Sequence, residues 1–222
     1  IEGQRVNLVE LSVSHYLLAR ALESVGMSER DVSVVNTSDA DIVGTFSTPE
    51  VTAAVTWNPQ LSELRAMPDA NVVFDSSDIP GEIIDTLALN TETLEANPAL
   101  GKALTGAWYE IMARMSGDDE TATEARTRMA ESAGTDRAGY EAQLASTQMF
   151  YDAADAVDFV TSDQPEATMD NVRQFSDRHG LLQGGLDFVG IAFPDGTVLG
   201  NAGNVKLRFT DAYMQMAADD AL

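Results

Sequence analysis

The sequence predicts an α/β protein: a lobe built on a parallel-rich sheet, followed by a helix-rich second part. Two observations carry this. Over the first 75 residues, short β-branched runs alternate with stretches of helical periodicity, the pattern of βαβ crossovers. From Thr91 to Gly180 the helical signals take over almost entirely.

In chain order, Val6 to Leu11 reads as a strand. Ser14 is a candidate N-cap, after which Leu18, Ala21, Leu22 and Val25 recur at helical spacing before Gly26. Asp31 to Asn36 is a second strand and Asp39 to Phe46 a short helix closed by Pro49. Val51 to Trp57 is a third strand. Pro59 suits the first turn of a helix ending near Met67. Asn71 to Phe74 is expected as a fourth strand and Ile83 to Asn90 as a crossover strand. Thr91 and Asn97-Pro98 start helices. Leu100, Leu104, Trp108, Ile111 and Met115 form an apolar stripe, with Trp108 expected in the core. Further helices are expected over Glu120 to Ser132, Asp136 to Ala145, Ala153 to Val160 and Pro165 to His179, with Gly134 and Gly180 as stops. Val189 to Phe193 and Thr197 to Leu199 make a hairpin around Pro194-Asp195-Gly196.

Composition narrows the function classes. Acidic residues number 36 against 13 basic, a formal charge of −23, so nucleic acid and anionic membrane surfaces are set aside as partners. With no cysteine, disulfides, thiol nucleophiles and Cys-based metal sites are out. His15 and His179 are too few for a His-rich metal site, and no metal or cofactor is expected. No apolar run reaches the roughly 18 residues of a membrane span, and Ile1 to Arg5 lacks the features of a signal peptide. A trimmed chain would show the same.

In an open parallel sheet, ligands bind outside the carboxyl ends of the strands. Glu10 to His15, Thr56 to Pro59 and Asp75 to Asp85 occupy such places. Ser12-Val13-Ser14-His15 has three readings. Nucleophilic catalysis would need a third orienting group, and no Gly-x-Ser-x-Gly elbow is present. A serine cap beside a partly exposed His is the plain structural reading. Ligand binding is the third, since a helix start offers N–H and hydroxyl donors. Trp57 is either core or an aromatic face for a cation or flat ligand. Among Asp75, Asp78, Glu82 and Asp85, the last is singled out because it falls within an apolar run (Ile83, Ile84, Leu87, Leu89), where a buried carboxylate needs a partner. His179-Gly180 reads as a helix C-terminal cap.

The stretches GQRVNLVELSVSHYLLARALESVG, VTAAVTWNPQLSE, SSDIPGEIIDTLALNTETLEANPALGKALTGAWYE and GNVKLRF resemble the periplasmic solute-binding proteins of ABC importers in the nitrate/sulfonate/taurine group. The likeness runs essentially from end to end and is strongest to the branch whose genes accompany urea carboxylase. It implies a type II-like periplasmic binding fold with the ligand held in an interlobe cleft. Residues 3 to 80 would be the family's complete second lobe, and 81 to 222 the C-terminal part of the first, whose N-terminal share would be missing along with an export signal. Apolar surface is then expected in 83 to 222. Carried over by position, Ser12, Ser14 and His15 fall in the cleft loop, Trp57 and Asn58 at the strand end, and Asp85 at the crossover. Many relatives with oxyanion ligands have Gly before the first serine; here Leu11 stands there, preceded by Glu10.

The resemblance thus implies a component that delivers a small urea- or guanidinium-like solute to membrane permease subunits, without catalysis or membrane insertion of its own. An oxyanion such as a sulfonate or nitrate is the alternative ligand, and a regulator's ligand-sensing domain the alternative role. The same superfamily includes thiamine-pyrimidine synthases, but those carry a cysteine-rich iron motif that this sequence lacks.

Overall fold

Strand β1 (Arg5–Leu8) lies at the centre of a parallel three-stranded sheet, between β2 (Ser33–Asn36) and β3 (Ala53–Ala54). Val6 faces Val34 on one side and Ala53 on the other. The structure, a computed structural model, describes all of residues 1–222. Its contacts divide the chain into two compact units, Ile1–Ile83 and Ile84–Leu222.

In the first unit, helix α1 (Val13–Ser24) packs Leu18 and Leu22 onto Val6, Leu8 and Val32, with Met27, Val34, Ala53 and Val55 around them. The spacing of His15, Leu18, Ala19 and Leu22 puts one stripe inward, and all four are buried. Val25, expected in that stripe, is instead the C-cap and 69% exposed, because Gly26 takes the left-handed turn that ends the helix. The N-cap is Ser12 rather than Ser14: its Oγ accepts the Ser14 N–H at 3.1 Å. Helices α2 (Asp39–Phe46) and α3 (Gln60–Arg65) bury Ile42 and Leu64.

The strands are shorter than expected, and two are absent. Residues 71–75 and 84–90 pair with no other strand. Val72, Val73 and Leu87 are exposed, so β-branched content alone did not make a ladder. Asp85 is accordingly exposed, not buried in an apolar strand.

The first unit ends in a polar clamp. Arg20 grips Glu82 in bidentate fashion, Nε to Oε2 at 2.7 Å and Nη2 to Oε1 at 2.8 Å, while the Tyr16 hydroxyl donates to Oε2 at 2.7 Å. The clamp ties the chain to α1 just before the unit boundary at Ile83.

The second unit is mostly helical: α4 (Thr91–Ala96), α5 (Pro98–Ser116), α6 (Glu120–Ser132), α7 (Arg137–Ala145), α8 (Ala153–Val160), α9 (Gln164–Arg178) and α10 (Ala212–Ala218). Asn90, Asp119, Asp136 and Asp152 cap α4, α6, α7 and α8 with their side chains. The stripe on α5 is offset from expectation. Gly101, Thr105, Met112 and Met115 are buried, while Trp108 and Ile111 are 47% and 43% exposed. Gly101 lets α5 approach α10, since a Cβ there would strike the Tyr213 ring. Leu87, Leu181, Phe188, Leu207 and Leu222 are exposed as well.

The expected hairpin forms as β4 (Gly190–Ala192) and β5 (Val198–Gly200), antiparallel. A strand not foreseen, β6 (Val205–Arg208), pairs parallel to β4, giving the order β5–β4–β6. No helix is long and apolar enough to cross a membrane.

Candidate functional site

Parallel pairing sends the carboxyl ends of β1, β2 and β3 to one edge of the first unit's sheet. The order β2–β1–β3 makes the gap between β1 and β3 the point where the winding reverses, and that is where open α/β sheets place a ligand. Val9 to Ser12 leave β1 at this edge, Asn36 to Asp39 leave β2, and Val55 to Gln60 leave β3 through a cis Asn58-Pro59 bond.

The β1 turn is held from several sides. The Ser12 hydroxyl donates to the Val9 carbonyl at 2.6 Å while capping α1. The Glu10 N–H donates to Asn36 Oδ1 at 3.0 Å, joining the turns after β1 and β2. Leu11 adopts a left-handed conformation, φ 60°, one that glycine takes more freely than leucine. Its N–H donates to His15 Nδ1 at 3.1 Å, and His15 Nε2 lies 2.5 Å from Glu29 Oε1. His15 is therefore buried, not partly exposed, with Nδ1 accepting from Leu11 and Nε2 in close contact with the Glu29 carboxylate. Beneath the β2 turn, Asn7 donates to Thr37 Oγ1 at 2.9 Å and Thr37 donates to the Val35 carbonyl.

The edge also carries polar groups whose needs the chain leaves unmet. Thr56 Oγ1, Asp39 Oδ1 and Gln60 Oε1 are buried atoms without a hydrogen-bond partner. Each follows the carboxyl end of β2 or β3 by a few residues. Such an oxygen costs roughly 1–3 kcal/mol unless something donates to it. Trp57, beside Thr56, is 44% exposed, so the core reading of this ring gives way to an aromatic face at the edge. No acidic residue stands in the first turn of α1, although Glu10 is exposed just before it.

Of the residues singled out from sequence, Glu10, Ser12, Ser14, His15, Trp57 and Asn58 thus gather at one edge of one sheet. Asp85 belongs to the other compact unit and is exposed on its unpaired segment, so the burial that drew attention to it does not exist. Sequence reasoning missed Asp39, Gln60 and Glu29. The run Asn36-Thr37-Ser38-Asp39 after a strand was a usable signal, being the same polar turn chemistry as Ser12 to Ser14. Glu29 had none, because its partner comes from another element. An open groove of about 650 Å³ also runs beside β1, β2 and α2, from Arg5 to Ser38 and Glu50. It meets the edge only at Asn36 to Ser38 and touches none of the six residues gathered there.

Residues 1–122, more than half the chain, match the sequence profile described as NMT1/THI5 like. The chain belongs to the NMT1/THI5-like family. No curated protein sequence matches it significantly. Among solved structures, the fold is similar to that of the alkanesulfonate-binding protein SsuA from Xanthomonas axonopodis pv. citri bound to MOPS. That likeness has a TM-score of 0.53 at 20% identity, covering 66% of this chain and 50% of that one. The periplasmic aliphatic sulphonate binding protein SsuA from Escherichia coli gives 0.56 at 20% identity, covering 66% and 49%. At this identity the likeness is one of fold, and this NMT1/THI5-like chain spans about half the length of either structure.

Proposed function

We propose that the chain is the ligand-binding part of a solute-binding component of an ABC importer, working in the periplasm and handing a small solute to permease subunits without catalysing a reaction. Family membership and the SsuA-like fold support the class of protein. The complete absence of cysteine in these 222 residues weighs against an iron-dependent synthase.

One observation carries the choice of ligand. At the carboxyl edge of the sheet the start of α1 offers donors, while three buried oxygens lack them: Thr56 Oγ1 after β3, Asp39 Oδ1 after β2 and Gln60 Oε1 after β3. The last two accept only. A planar, donor-rich solute of the urea type suits this mixture: its carbonyl takes hydrogens at the start of α1 other than the Ser12 hydroxyl and the Ser14 N–H, which the turn itself uses; its amino groups supply the acceptors, and Trp57 offers a face. Glu10 extends the same logic to a guanidinium. His15 contributes by holding the loop, and Asp85 has no part in this reading.

A sulfonate or nitrate is the second reading. The first turn of α1 is free of acid, and helix starts bind anions; the solved structures of similar fold are named for sulfonates. Calorimetric titration with urea, guanidinium, ethanesulfonate and nitrate separates the two. Preference for urea or guanidinium supports the first reading. Tight sulfonate or nitrate binding replaces it with the second, and no binding by any of the four sinks both.

A further inference from the structure

The turn out of β1 contains a conformation its own sequence disfavours. Leucine at φ 60° crowds its Cβ against the backbone, a place that glycine occupies freely. Leu11 is half exposed, so packing does not force it there. A hydrogen bond does: the Leu11 N–H donates to His15 Nδ1 at 3.1 Å. An Nδ1 that accepts carries no proton, which leaves the proton of the neutral ring on Nε2. Glu29 Oε1 stands 2.5 Å from that Nε2. Glu29 is itself placed by the short turn Glu29–Asp31 leading toward β2, where Asp31 accepts the Ser28 N–H at 2.8 Å.

We propose that Glu29 and His15 are positioning residues for ligand binding. Glu29 fixes the ring tautomer and orientation; the ring's Nδ1 then pins Leu11 in the left-handed conformation; and Leu11 sets how Ser12 and the first N–H groups of α1 meet a ligand. In this protein the relay does with two side chains, those of Glu29 and His15, what a glycine does alone. The inference rests on the proposed ligand site at this edge.

The test uses three variants of the protein, Glu29→Ala, Leu11→Gly and the double variant, with urea, guanidinium and ethanesulfonate as probes. Glu29 sits at the surface end of the relay, its side chain 27% exposed, so its loss leaves the core of α1 in place. Long-range nitrogen NMR of ligand-free wild type is expected to show a pyrrole-type Nε2 and an accepting Nδ1 on His15. Glu29→Ala is expected to blur that pattern, speed Leu11 amide exchange about tenfold or more, and weaken the best-bound probe by a similar factor. Added to Glu29→Ala, Leu11→Gly is expected to restore affinity to within about threefold of the Leu11→Gly single variant, because glycine takes the left-handed conformation without the histidine's hold. A merely structural role would not be rescued by that glycine.

Unchanged Leu11 exchange in Glu29→Ala, or a double variant as weak as Glu29→Ala, overturns the relay. If wild type binds none of the probes, the ligand reading of the edge falls and the positioning role with it, while the Leu11 amide still decides whether the relay exists.

Discussion

Replacing Glu82 with alanine dismantles the clamp that ties the end of the first unit to α1. The carboxylate takes three hydrogen bonds, two from the Arg20 guanidinium and one from the Tyr16 hydroxyl. Counting hydrogen bonds to a charged group at about 1.5–3 kcal/mol each would overshoot, because they share one acceptor. Breaking a buried ion pair from one side costs about 3–5 kcal/mol. Here Glu82 is 11% exposed and Arg20 24%, and Arg20 keeps Glu23 at 2.6 Å, so the guanidinium is not stranded. A loss of about 2–3 kcal/mol follows. With a urea slope of about 1–3 kcal/mol/M, the midpoint falls by about 0.7–3 M. Trp57 reports on the first unit once Trp108 is removed from the second, so the assay is urea unfolding by fluorescence in a Trp108→Phe background. A midpoint shift below about 0.3 M at unchanged slope would refute the reasoning, since that is the size of an exposed pair.

Three further outcomes follow from the same structure. Burial, and next the hydrogen bond to Glu82, raises the Tyr16 pKa above its ordinary value near 10. The folded protein thus keeps a proton that the unfolded chain loses. That stability is full below pH 10 and declines above it by up to about 1.4 kcal/mol per pH unit. Tyr16→Phe should flatten this alkaline limb in denaturant titrations between pH 9 and 11.5, and an unaltered limb would assign it to other groups. Gly101→Ala drives a methyl into the Tyr213 ring between α5 and α10 and should lower stability by about 1–3 kcal/mol, seen in the Trp108 unfolding signal. Leu22→Ala empties a fully buried position of the first unit's core and should cost about 2–5 kcal/mol, seen in the Trp57 signal.

Periodicity and cap chemistry were legible because they are local. The helices over 39–46, 120–132 and 153–160 need only their own spacing and caps, and they stand where the sequence places them. Strands are another matter, since a ladder needs a partner that no local pattern reveals. Asn71 to Phe74 has the composition of a strand and pairs with nothing, whereas Val205 to Arg208, broken by two basic residues, pairs with β4. The face of α5 was misjudged for a related reason: Gly101 and Thr105 face inward because α10 returns from the chain's far end to meet Gly101, leaving Trp108 outward. At the candidate site, the residues after β1 and β3 could be read from the rule for parallel sheets. The burial of His15, the left-handed Leu11 and the unmet oxygens of Asp39, Thr56 and Gln60 could not, because each depends on atoms brought together by the fold.

The central claim is that the carboxyl edge between β1 and β3 binds a small donor-rich solute. It is tested most directly by calorimetric titration of urea and guanidinium into wild type and Thr56→Val. Valine replaces the unmet hydroxyl with a methyl of the same shape, so melting should stay level or rise. The account predicts saturable one-to-one binding by wild type, weakened about tenfold in Thr56→Val at unchanged or higher melting temperature. No saturable heat in wild type, or identical affinities in the two proteins, would contradict it.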